Sequence, residues 1–250
     1  MRMRERIDFL GASIEPWTMQ ETVREIADRL DRGEFTQHVV VNVAKLITMR
    51  NDVALRAAIS ACEIVNADGM GVVWGARILG LSIPERVAGV DLFFQLLTLA
   101  SERGYPVYIL GAKENVINSA VKKLRGMYPR LDIAGYHHGY FGEDEAAVVE
   151  EVRRSGAQML FVAISSPKKE EFISKYREHL GVKFAMGIGG TIDIVAGVTK
   201  RAPRWMQRLG LEWLYRVLQE PRRMWKRYLT TNSIYAWLLL REKFRSFASR

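Results

Sequence analysis

Polar side chains that can meet a substrate stand just beyond predicted strands in the first third of the sequence. Asp68 follows the short apolar run Ile64–Ala67, and Gly69 and Gly71 then open a predicted helix. In an open α/β sheet the carboxyl ends of the strands face the ligand crevice. Asp68 is therefore placed where a carboxylate can meet a substrate, with glycines that let backbone approach closely. Arg86, eighteen positions later, adds a cation to the predicted polar site.

A second polar residue, Asn42, interrupts the β-branched run HVVVNV, which predicts a strand over 38–43. Asn42 lies at the carboxyl end of that strand. Its position permits two interpretations: a cap for the helix that follows, or a side chain of the same site as Asp68.

Two glycine turns at strand ends have the character of nucleotide sites. Gly111 follows the strand PVYIL and precedes a helix, so its turn can present backbone N–H groups to phosphate, although many such turns contain one glycine. A stronger signal is the turn with Gly187, Gly189 and Gly190, which follows a strand and precedes a helix. It allows close phosphate approach, and Asp193 can accept bonds from a ribose or base.

Several classes of site are disfavoured by the motifs that the sequence lacks. It contains neither GxGxxG nor the P-loop GxxxxGK[ST], which argues against ordinary NAD or ATP binding and against a dehydrogenase. No His/Cys/Asp cluster has zinc spacing, and no GxSxG elbow is present. The single cysteine, Cys62, excludes an internal disulfide and fits a reducing compartment.

The elements that must position these residues alternate regularly between strand and helix. A capping box, Thr18 to Glu21, predicts a helix running to about Asp31 and ending at Gly33. Further helices are predicted at 44–61, after Asp68, from Asp91 to near Gly104, and at 114–127, 143–155 and 168–179. Further strands are predicted at 106–110, 131–135, 158–164 and 182–187. This alternation predicts an α/β fold with a largely parallel, Rossmann-like sheet flanked by helices.

The positive charge is concentrated in the last fifth of the chain. The net charge is +9, but residues 200–250 (the tail) contain thirteen Lys or Arg against three Glu, which leaves about −1 on residues 1–199. Four of the six tryptophans also lie in the tail. We therefore predict an α/β domain over 1–199 and a basic, aromatic-rich helical appendage over 200–250. No apolar run approaches the ~20 residues that a spanning helix needs, and no secretory signal is apparent, so we expect a cytoplasmic protein.

Within the tail, apolar residues recur at helical spacing beside arginines and lysines, and Pro221 marks a kink or a new helix start. This pattern leaves three interpretations. The tail is an interfacial helix on an anionic membrane, a helical hairpin that packs its aromatics on the body, or a surface for single-stranded nucleic acid.

Taken together, these segments resemble the WecG/TagA/CpsF family, glycosyltransferase family 26, from about Asp8 to Tyr228. The motifs that carry the resemblance are VVNVAKL, NADGMGVVWGARILG, RVAGVDLF, ILGAKE, GYFGED, SSPKKEEF, GIGGTIDIVAGVTKRAP and GLEWLYRVLQEPRR. Each motif alone is weak, but their combination in this order is highly specific.

The resemblance implies an inverting, metal-independent transferase that uses a UDP-sugar as substrate and needs no cofactor. Family members move the sugar to position 4 of a lipid-diphosphate-linked sugar in wall teichoic acid, enterobacterial common antigen or capsule synthesis. The family's catalytic base falls on Asp68, its active-site asparagine on Asn42 and its arginine on Arg86. Asp68 would take the proton from the acceptor hydroxyl, and Arg86 would offset charge on the leaving diphosphate.

The resemblance also implies where the substrates bind. The residues expected to bind the nucleotide and donor are Gly111, Tyr136, Phe141, Lys169, Gly189, Gly190 and Asp193. In the tail, Arg216, Arg223 and Lys226 match basic positions proposed to meet the lipid diphosphate and to close over the site.

Two positions depart from the family pattern and bear on the donor sugar. Val40 stands where the family usually has Thr, and Lys169 stands where it usually has Gln. N-acetylmannosamine, glucose and a uronate sugar are therefore all candidate donors. We hypothesise that Lys169 pairs with an acidic group, either a uronate carboxylate or a phosphate.

The expected partners follow from this resemblance. They are a UDP-sugar, a polyprenyl-diphosphate-linked acceptor and the inner leaflet of the cytoplasmic membrane, on which the protein would be peripheral. A homo-oligomer is possible, and nucleic acid is not expected. The alternative is a nucleotide-binding module without catalysis, whose basic tail serves a protein or nucleic-acid partner.

Overall fold

The computed structural model describes residues 4–142 and 144–248, except for the side chains of Arg223, Arg227 and residues 246–248. An antiparallel hairpin, β1 (Ile7–Phe9) and β2 (Ala12–Ile14), comes first. The strands of the main sheet are β3 (Thr36–Val41), β4 (Ile64–Ala67), β5 (Val107–Gly111), β6 (Ile133–His137), β7 (Met159–Ala163) and β8 (Phe184–Gly187). Their order in the sheet is β4-β3-β8-β7-β5-β6, and every neighbouring pair is parallel. The predicted α/β class and parallel sheet are confirmed.

Helices cover both faces of this sheet. They are α1 (Met19–Arg32), α2 (Val43–Asn51), α3 (Val53–Ser60), α4 (Met70–Ile78), α5 (Gly89–Arg103), α6 (Glu114–Met127), α7 (Glu145–Arg154), α8 (Lys168–Tyr176) and α9 (Thr191–Ala196). One core cluster joins the strands to α1, α5, α6 and α9. Two others join them to α2, α3 and α4 and to α7 and α8. Because successive side chains of a strand point to opposite faces, Ile64 belongs to the first cluster and Val65 to the second.

Local signals explain where several helices begin and end. The capping box of Thr18 and Glu21 is present at the start of α1, and Gly33 ends that helix in the left-handed conformation, as predicted. The single helix predicted over 44–61 is wrong, because it is two helices with Asp52 between them. The Asp52 carboxylate accepts a bond from the backbone N–H of Leu55 at 2.9 Å, so this residue caps α3 instead of continuing α2.

The tail forms α10 (Arg204–Arg208), α11 (Glu212–Gln219) and α12 (Pro221–Ala248), and Pro221 is a helix start. The middle of α12 packs on the body: Tyr235, Leu238 and Leu239 are buried in the cluster that contains Val72. The Tyr235 hydroxyl donates to the carbonyl oxygen of Gly71 at 2.7 Å. Part of the tail therefore packs on the body, as one of the three interpretations expects. The boundary between an α/β domain over 1–199 and an appendage over 200–250 stays a prediction.

Much of the tail's apolar surface is nevertheless exposed. Its exposed tryptophans are Trp205, Trp213, Trp225 and Trp237. None of the helices in the described part of the chain combines the length and apolar character that a membrane crossing requires.

Candidate active site

The end of β4 holds Asp68 by backbone bonds to both sides. The Asp68 N–H donates to the carbonyl oxygen of Val41 at 2.9 Å, at the end of the neighbouring strand β3. The Val87 N–H donates to the carbonyl oxygen of Ala67 at 2.8 Å, which draws the α4–α5 connection back to the sheet and carries Arg86 with it. Two residues eighteen positions apart thus meet at one strand end.

Asn42 both caps a helix and lies beside Asp68. Its Oδ1 accepts a bond from the Lys45 N–H at 3.0 Å, so it is the N-cap of α2. It also lines the cavity that contains Asp68 and Arg86. The cap uses one lone pair of the oxygen and leaves the two Nδ2 hydrogens as donors.

Two cavities meet at Asp68. The first, which we call the aromatic cavity, has a volume of about 330 Å³ and lies between α4 and the tail. Its aromatic lining residues are Trp74, Trp213, Tyr228 and Tyr235. The second, which we call the glycine-turn cavity, has a volume of about 280 Å³. The side chains common to both are Asp68, Glu212, Arg216 and Met224. A group held in either cavity therefore borders the same carboxylate.

The surroundings of Asp68 hold its pKa above the ordinary value, at about 6. Burial is the main cause, because it disfavours the charged form, and the neighbouring carboxylate of Glu212 adds to it. Arg86 and Arg216 act in the opposite direction. A carboxylate with this pKa is ionised at neutral pH and is a stronger base than an exposed aspartate.

A network of arginines and carboxylates joins the tail to the body beside Asp68. Arg86 Nη1 lies 2.6 Å from Glu212 Oε2. Arg201 donates to both carboxylate oxygens of Asp91, at 2.5 and 2.7 Å, and its Nε lies 3.7 Å from Glu212 Oε1. Glu212 thus bridges two arginines that stand 115 positions apart in the chain.

Sequence reasoning did not identify Arg201 or Glu212 as site residues. Both lie inside motifs that carried the family resemblance, TKRAP and GLEWLYR. Glu212 is one of three acidic residues in a strongly basic tail, and that contrast is the one signal that could have singled it out.

The structure divides the predicted donor residues into two groups. Gly190 and Asp193 line the glycine-turn cavity, Gly189 adjoins Gly190 in the same turn, and burial raises the pKa of the Asp193 carboxyl. Among the described residues, Gly111, Tyr136, Phe141 and Lys169 line neither cavity. Their predicted roles remain predictions.

Gly111 has a local reason to be glycine. Its φ is 131°, and a Cβ there would lie 2.5 Å from the backbone of Ala163 on β7. Its strand, β5, is four positions from β4 in the sheet, a distance of about 19 Å at the usual strand spacing. A ligand that touches both Asp68 and the Gly111 turn must extend across most of the sheet's carboxyl edge.

Tyr136 and Phe141 also lie toward that far edge. Tyr136 is on the edge strand β6, where it pairs with Ile109 and packs against the core. The Phe141 ring lies 5.9 Å from that of Phe172 on α8. These side chains have packing roles that do not depend on a ligand.

Lys169 is buried in an ionic cluster within the chain. Its Nζ lies 3.0 Å from Glu170 Oε1, which also binds Lys45 Nζ at 2.8 Å. The Lys169 stem covers Gly187, where a Cβ would lie 2.6 Å from Lys169 Cδ and Cε. Burial, with Lys45 nearby, lowers the pKa of Lys169 to about 8, against the opposing effect of Glu170. The predicted cation therefore already has an acidic partner.

The basic residues predicted in the tail have different placements. Arg216 lines both cavities. Lys226 is exposed, with Nζ 5.7 Å from the centre of the Trp225 ring. The side chain of Arg223 lies outside the described residues. Within residues 4–142 and 144–248, His, Cys, Asp and Glu side chains form no group of three that could hold a metal ion.

Comparison with known proteins identifies the family. The model of the glycosyl transferase WecG/TagA/CpsF family matches residues 7–249. The chain is 38% identical over 185 residues to an N-acetylglucosaminyldiphosphoundecaprenol N-acetyl-beta-D-mannosaminyltransferase of Bacillus subtilis (strain 168), covering 74% of this chain and 71% of the relative. A protein of the same name from Bacillus spizizenii (strain ATCC 23059 / NRRL B-14472 / W23) is 36% identical over 187 residues, covering 75% and 72%. The chain therefore belongs to the WecG/TagA/CpsF family of glycosyl transferases, and is itself a glycosyltransferase.

Proposed function

We propose that this protein transfers a sugar from a UDP-sugar to a saccharide linked to a polyprenyl diphosphate, in the synthesis of a cell-envelope or exopolysaccharide. The names of the two Bacillus relatives support the acceptor class, since both describe transfer to N-acetylglucosaminyldiphosphoundecaprenol. The observation that carries the proposal is the meeting of two cavities at one carboxylate of raised pKa. A transferase needs this arrangement, because donor and acceptor must both reach the catalytic base.

The proposed reaction is a single displacement. Asp68 accepts the proton of the acceptor hydroxyl while the hydroxyl oxygen bonds to the anomeric carbon of the donor. The bond from that carbon to the diphosphate oxygen breaks on the opposite face, so the configuration inverts and UDP departs with the bonding electrons. Asp68 later releases the proton to water. Asn42 Nδ2 would donate to a hydroxyl of either sugar and orient it.

Side chains supply the positive charge for the departing diphosphate in this proposal. Arg86, Arg201 and Arg216 border the cavities at Asp68, and fixed guanidinium groups stabilise developing negative charge. The proposed reaction therefore proceeds without a metal ion or cofactor. Donor binding would exchange the Glu212 carboxylate for phosphate oxygens on at least one of these arginines.

The candidate donors are UDP-linked N-acetylmannosamine, glucose and a uronate sugar. The relatives' names describe an N-acetylmannosamine transfer, whereas Lys169 motivates an acidic donor. A donor carboxylate would have to draw the Lys169 ammonium away from Glu170, 3.0 Å away.

The Lys169 hypothesis has a direct test. If the ammonium binds the donor carboxylate, Lys169→Gln will weaken the use of a UDP-uronate, by about tenfold or more in kcat/KM, and spare neutral donors. If Lys169 serves only to neutralise Glu170, the variant will lose activity equally on neutral and acidic donors, and the hypothesis fails.

The decisive experiment for the proposed function is UDP release from a panel of UDP-sugars, with and without a lipid-diphosphate-linked acceptor. We expect acceptor-dependent release by the wild-type protein that collapses in Asp68→Asn, which keeps the side-chain shape but cannot accept a proton. Failure of the wild-type protein to bind any uridine nucleotide would contradict the proposal. Equal release by the wild type and Asp68→Asn would remove Asp68 from its assigned role.

A further inference from the structure

The aromatic cavity combines two kinds of lining group. Tryptophan and tyrosine rings come from opposite sides: Trp74 from α4 of the body, and Trp213 and Tyr228 from the tail. The Trp213 and Tyr228 rings are 5.8 Å apart and tilted by 54°. Hydrogen-bonding side chains stand among these rings, including Asn42 and Asn232.

This mixture fits a sugar ring better than an isoprenoid chain. A pyranose presents faces of C–H groups that stack on aromatic rings and a rim of hydroxyls that need hydrogen-bond partners. An isoprenoid has no use for the amides and the two arginines, Arg86 and Arg216, that line the cavity. The volume of about 330 Å³ is also at the small end of ligand sites, and it suits one monosaccharide unit.

The two cavities differ in a way that assigns one substrate to each. The glycine-turn cavity is lined by Gly190, Asp193, Lys200 and Arg201, which are groups suited to a nucleotide diphosphate. The aromatic cavity lies against the tail, which also exposes three tryptophans outside the cavity: Trp205, Trp225 and Trp237. A lipid-linked sugar that arrives along the tail reaches Asp68 through this cavity.

We infer that the aromatic cavity is the acceptor subsite, in which Trp74 and Trp213 stack on the acceptor's sugar ring. The inference rests on the proposed function and adds to it the location of the acceptor and the residues that recognise it. Trp74 is 45% exposed and Trp213 is 40% exposed, so each retains ring surface that a ligand can cover. Because Trp74 belongs to the body and Trp213 to the tail, a bound acceptor would contact both parts of the chain.

The test compares KM values for two acceptors: N-acetylglucosaminyl diphosphate on an undecaprenyl chain, and the same group on a short, water-soluble alkyl chain. We expect Trp213→Ala and Trp74→Ala to raise the acceptor KM about tenfold, the effect of one lost stacking contact with its buried area. The increase should be equal for both acceptors, and the donor KM should not change. Trp213→Phe should recover most of the affinity.

Trp225→Ala is the matched control, because Trp225 is an exposed tail tryptophan that does not line the cavity; it should leave the KM for the soluble acceptor unchanged. A KM increase confined to the undecaprenyl acceptor would show that the rings hold lipid or membrane, and would overturn the inference. An increase in the donor KM alone would place the donor in this cavity and would also overturn the inference. An unchanged donor KM also shows that a variant is folded. If the wild-type protein itself transfers nothing to either acceptor, the proposed function fails and the subsite falls with it.

Discussion

Two opposing influences set the pKa of Asp68, and their balance sets the pH above which the proposed catalytic base is ionised. Burial and the Glu212 carboxylate raise its pKa to about 6, while Arg86 and Arg216 pull it down. In the proposed reaction the protonated acid cannot accept the acceptor's proton, so we expect activity to be lost as the pH falls through this value. The dependence of kcat/KM on pH reports the free enzyme.

We therefore predict an acidic limb in kcat/KM with a midpoint near pH 6. Asp68→Asn should lower turnover by about a hundredfold to ten-thousandfold, the usual contribution of a general base. The measurement is steady-state transfer between about pH 4 and about pH 8, roughly two units on either side of the midpoint. A limb centred near the ordinary aspartate pKa would contradict the burial argument.

Glu212→Gln tests how much the Glu212 carboxylate contributes to the raised pKa of Asp68. Removing its negative charge, and releasing Arg86 from their contact at 2.6 Å, should move the midpoint of the acidic limb to lower pH. Glu178→Gln is a suitable control, because Glu178 is largely exposed and lines neither cavity. An unmoved midpoint in Glu212→Gln would show that the Glu212 carboxylate does not contribute to the raised pKa of Asp68.

At the residue scale, the positions of two candidate site residues could be predicted because each directly follows a recognisable strand. Asp68 and Asn42 end strands with clear apolar patterns, so their placement at one sheet edge followed from fold class alone. Arg201 and Glu212 were missed because their partners depend on how the tail packs. No local pattern shows that a glutamate in a basic helix will bridge Arg86 of the body and Arg201 at the start of the tail.

At the element scale, capping chemistry was more informative than hydrophobic periodicity. The ends of α1 were predictable because Thr18, Glu21 and Gly33 each have a local backbone reason to be there. The break between α2 and α3 was not anticipated, because the apolar pattern continues across it. Asp52 could have indicated it, since aspartate favours a helix cap over a helix interior.

The contact between α4 and α12 depends on a glycine. A Cβ at Gly75 would lie 1.9 Å from the Tyr235 hydroxyl oxygen and 3.0 Å from Tyr235 Cζ, so this side chain fits only because position 75 has no side chain. The same hydroxyl binds the carbonyl oxygen of Gly71. These two glycines on α4 form the groove that receives the tail.

Gly75→Ala should therefore destabilise the protein by about 1–3 kcal/mol, the typical result of overpacking, and should weaken transfer because α12 also lines the aromatic cavity. The measurement is thermal or denaturant unfolding. Gly126→Ala on α6 is the control, since a Cβ there meets nothing within 4 Å and alanine favours helix. Combining Gly75→Ala with Tyr235→Phe removes the clashing oxygen and should restore part of the stability; no recovery would contradict this account of the groove.

At the scale of the whole molecule, the sequence predicted a parallel sheet between layers of helices but not the order of the strands within the sheet. Alternating strands and helices imply a parallel sheet, yet several strand orders satisfy that rule. The observed order puts β4 at one edge and β5 four positions away, so Asp68 and Gly111 are well separated. The tail was predicted from charge and aromatic content, but the burial of Tyr235, Leu238 and Leu239 required the body's shape.

The tail therefore has an inner face committed to the body and an outer face that remains exposed, and we propose that the outer face binds the inner leaflet. Its tryptophans stand beside a net charge of +10 on residues 200–250, a combination suited to anionic membranes. Trp205 and Trp237 are 59% and 58% exposed, so replacing both with serine removes membrane contacts and spares the core.

We expect the full-length protein to float with anionic vesicles, and the Trp205→Ser, Trp237→Ser double variant to float substantially less, while transfer to a water-soluble acceptor is retained. Val53→Ser is the control: Val53 is 68% exposed on α3 and should have no effect on flotation. Binding should also weaken in high salt, because screening shortens the reach of the tail's charge from about 10 Å at 0.1 M to about 3 Å at 1 M. If the outer face instead joins copies of the chain, light scattering will give a lower molar mass for the double variant than for the wild type, and flotation will be unchanged. The tail would then be an oligomerisation element. Since the inner face of α12 also closes the aromatic cavity, retention of soluble-acceptor activity by the double variant is what separates membrane attachment from catalysis.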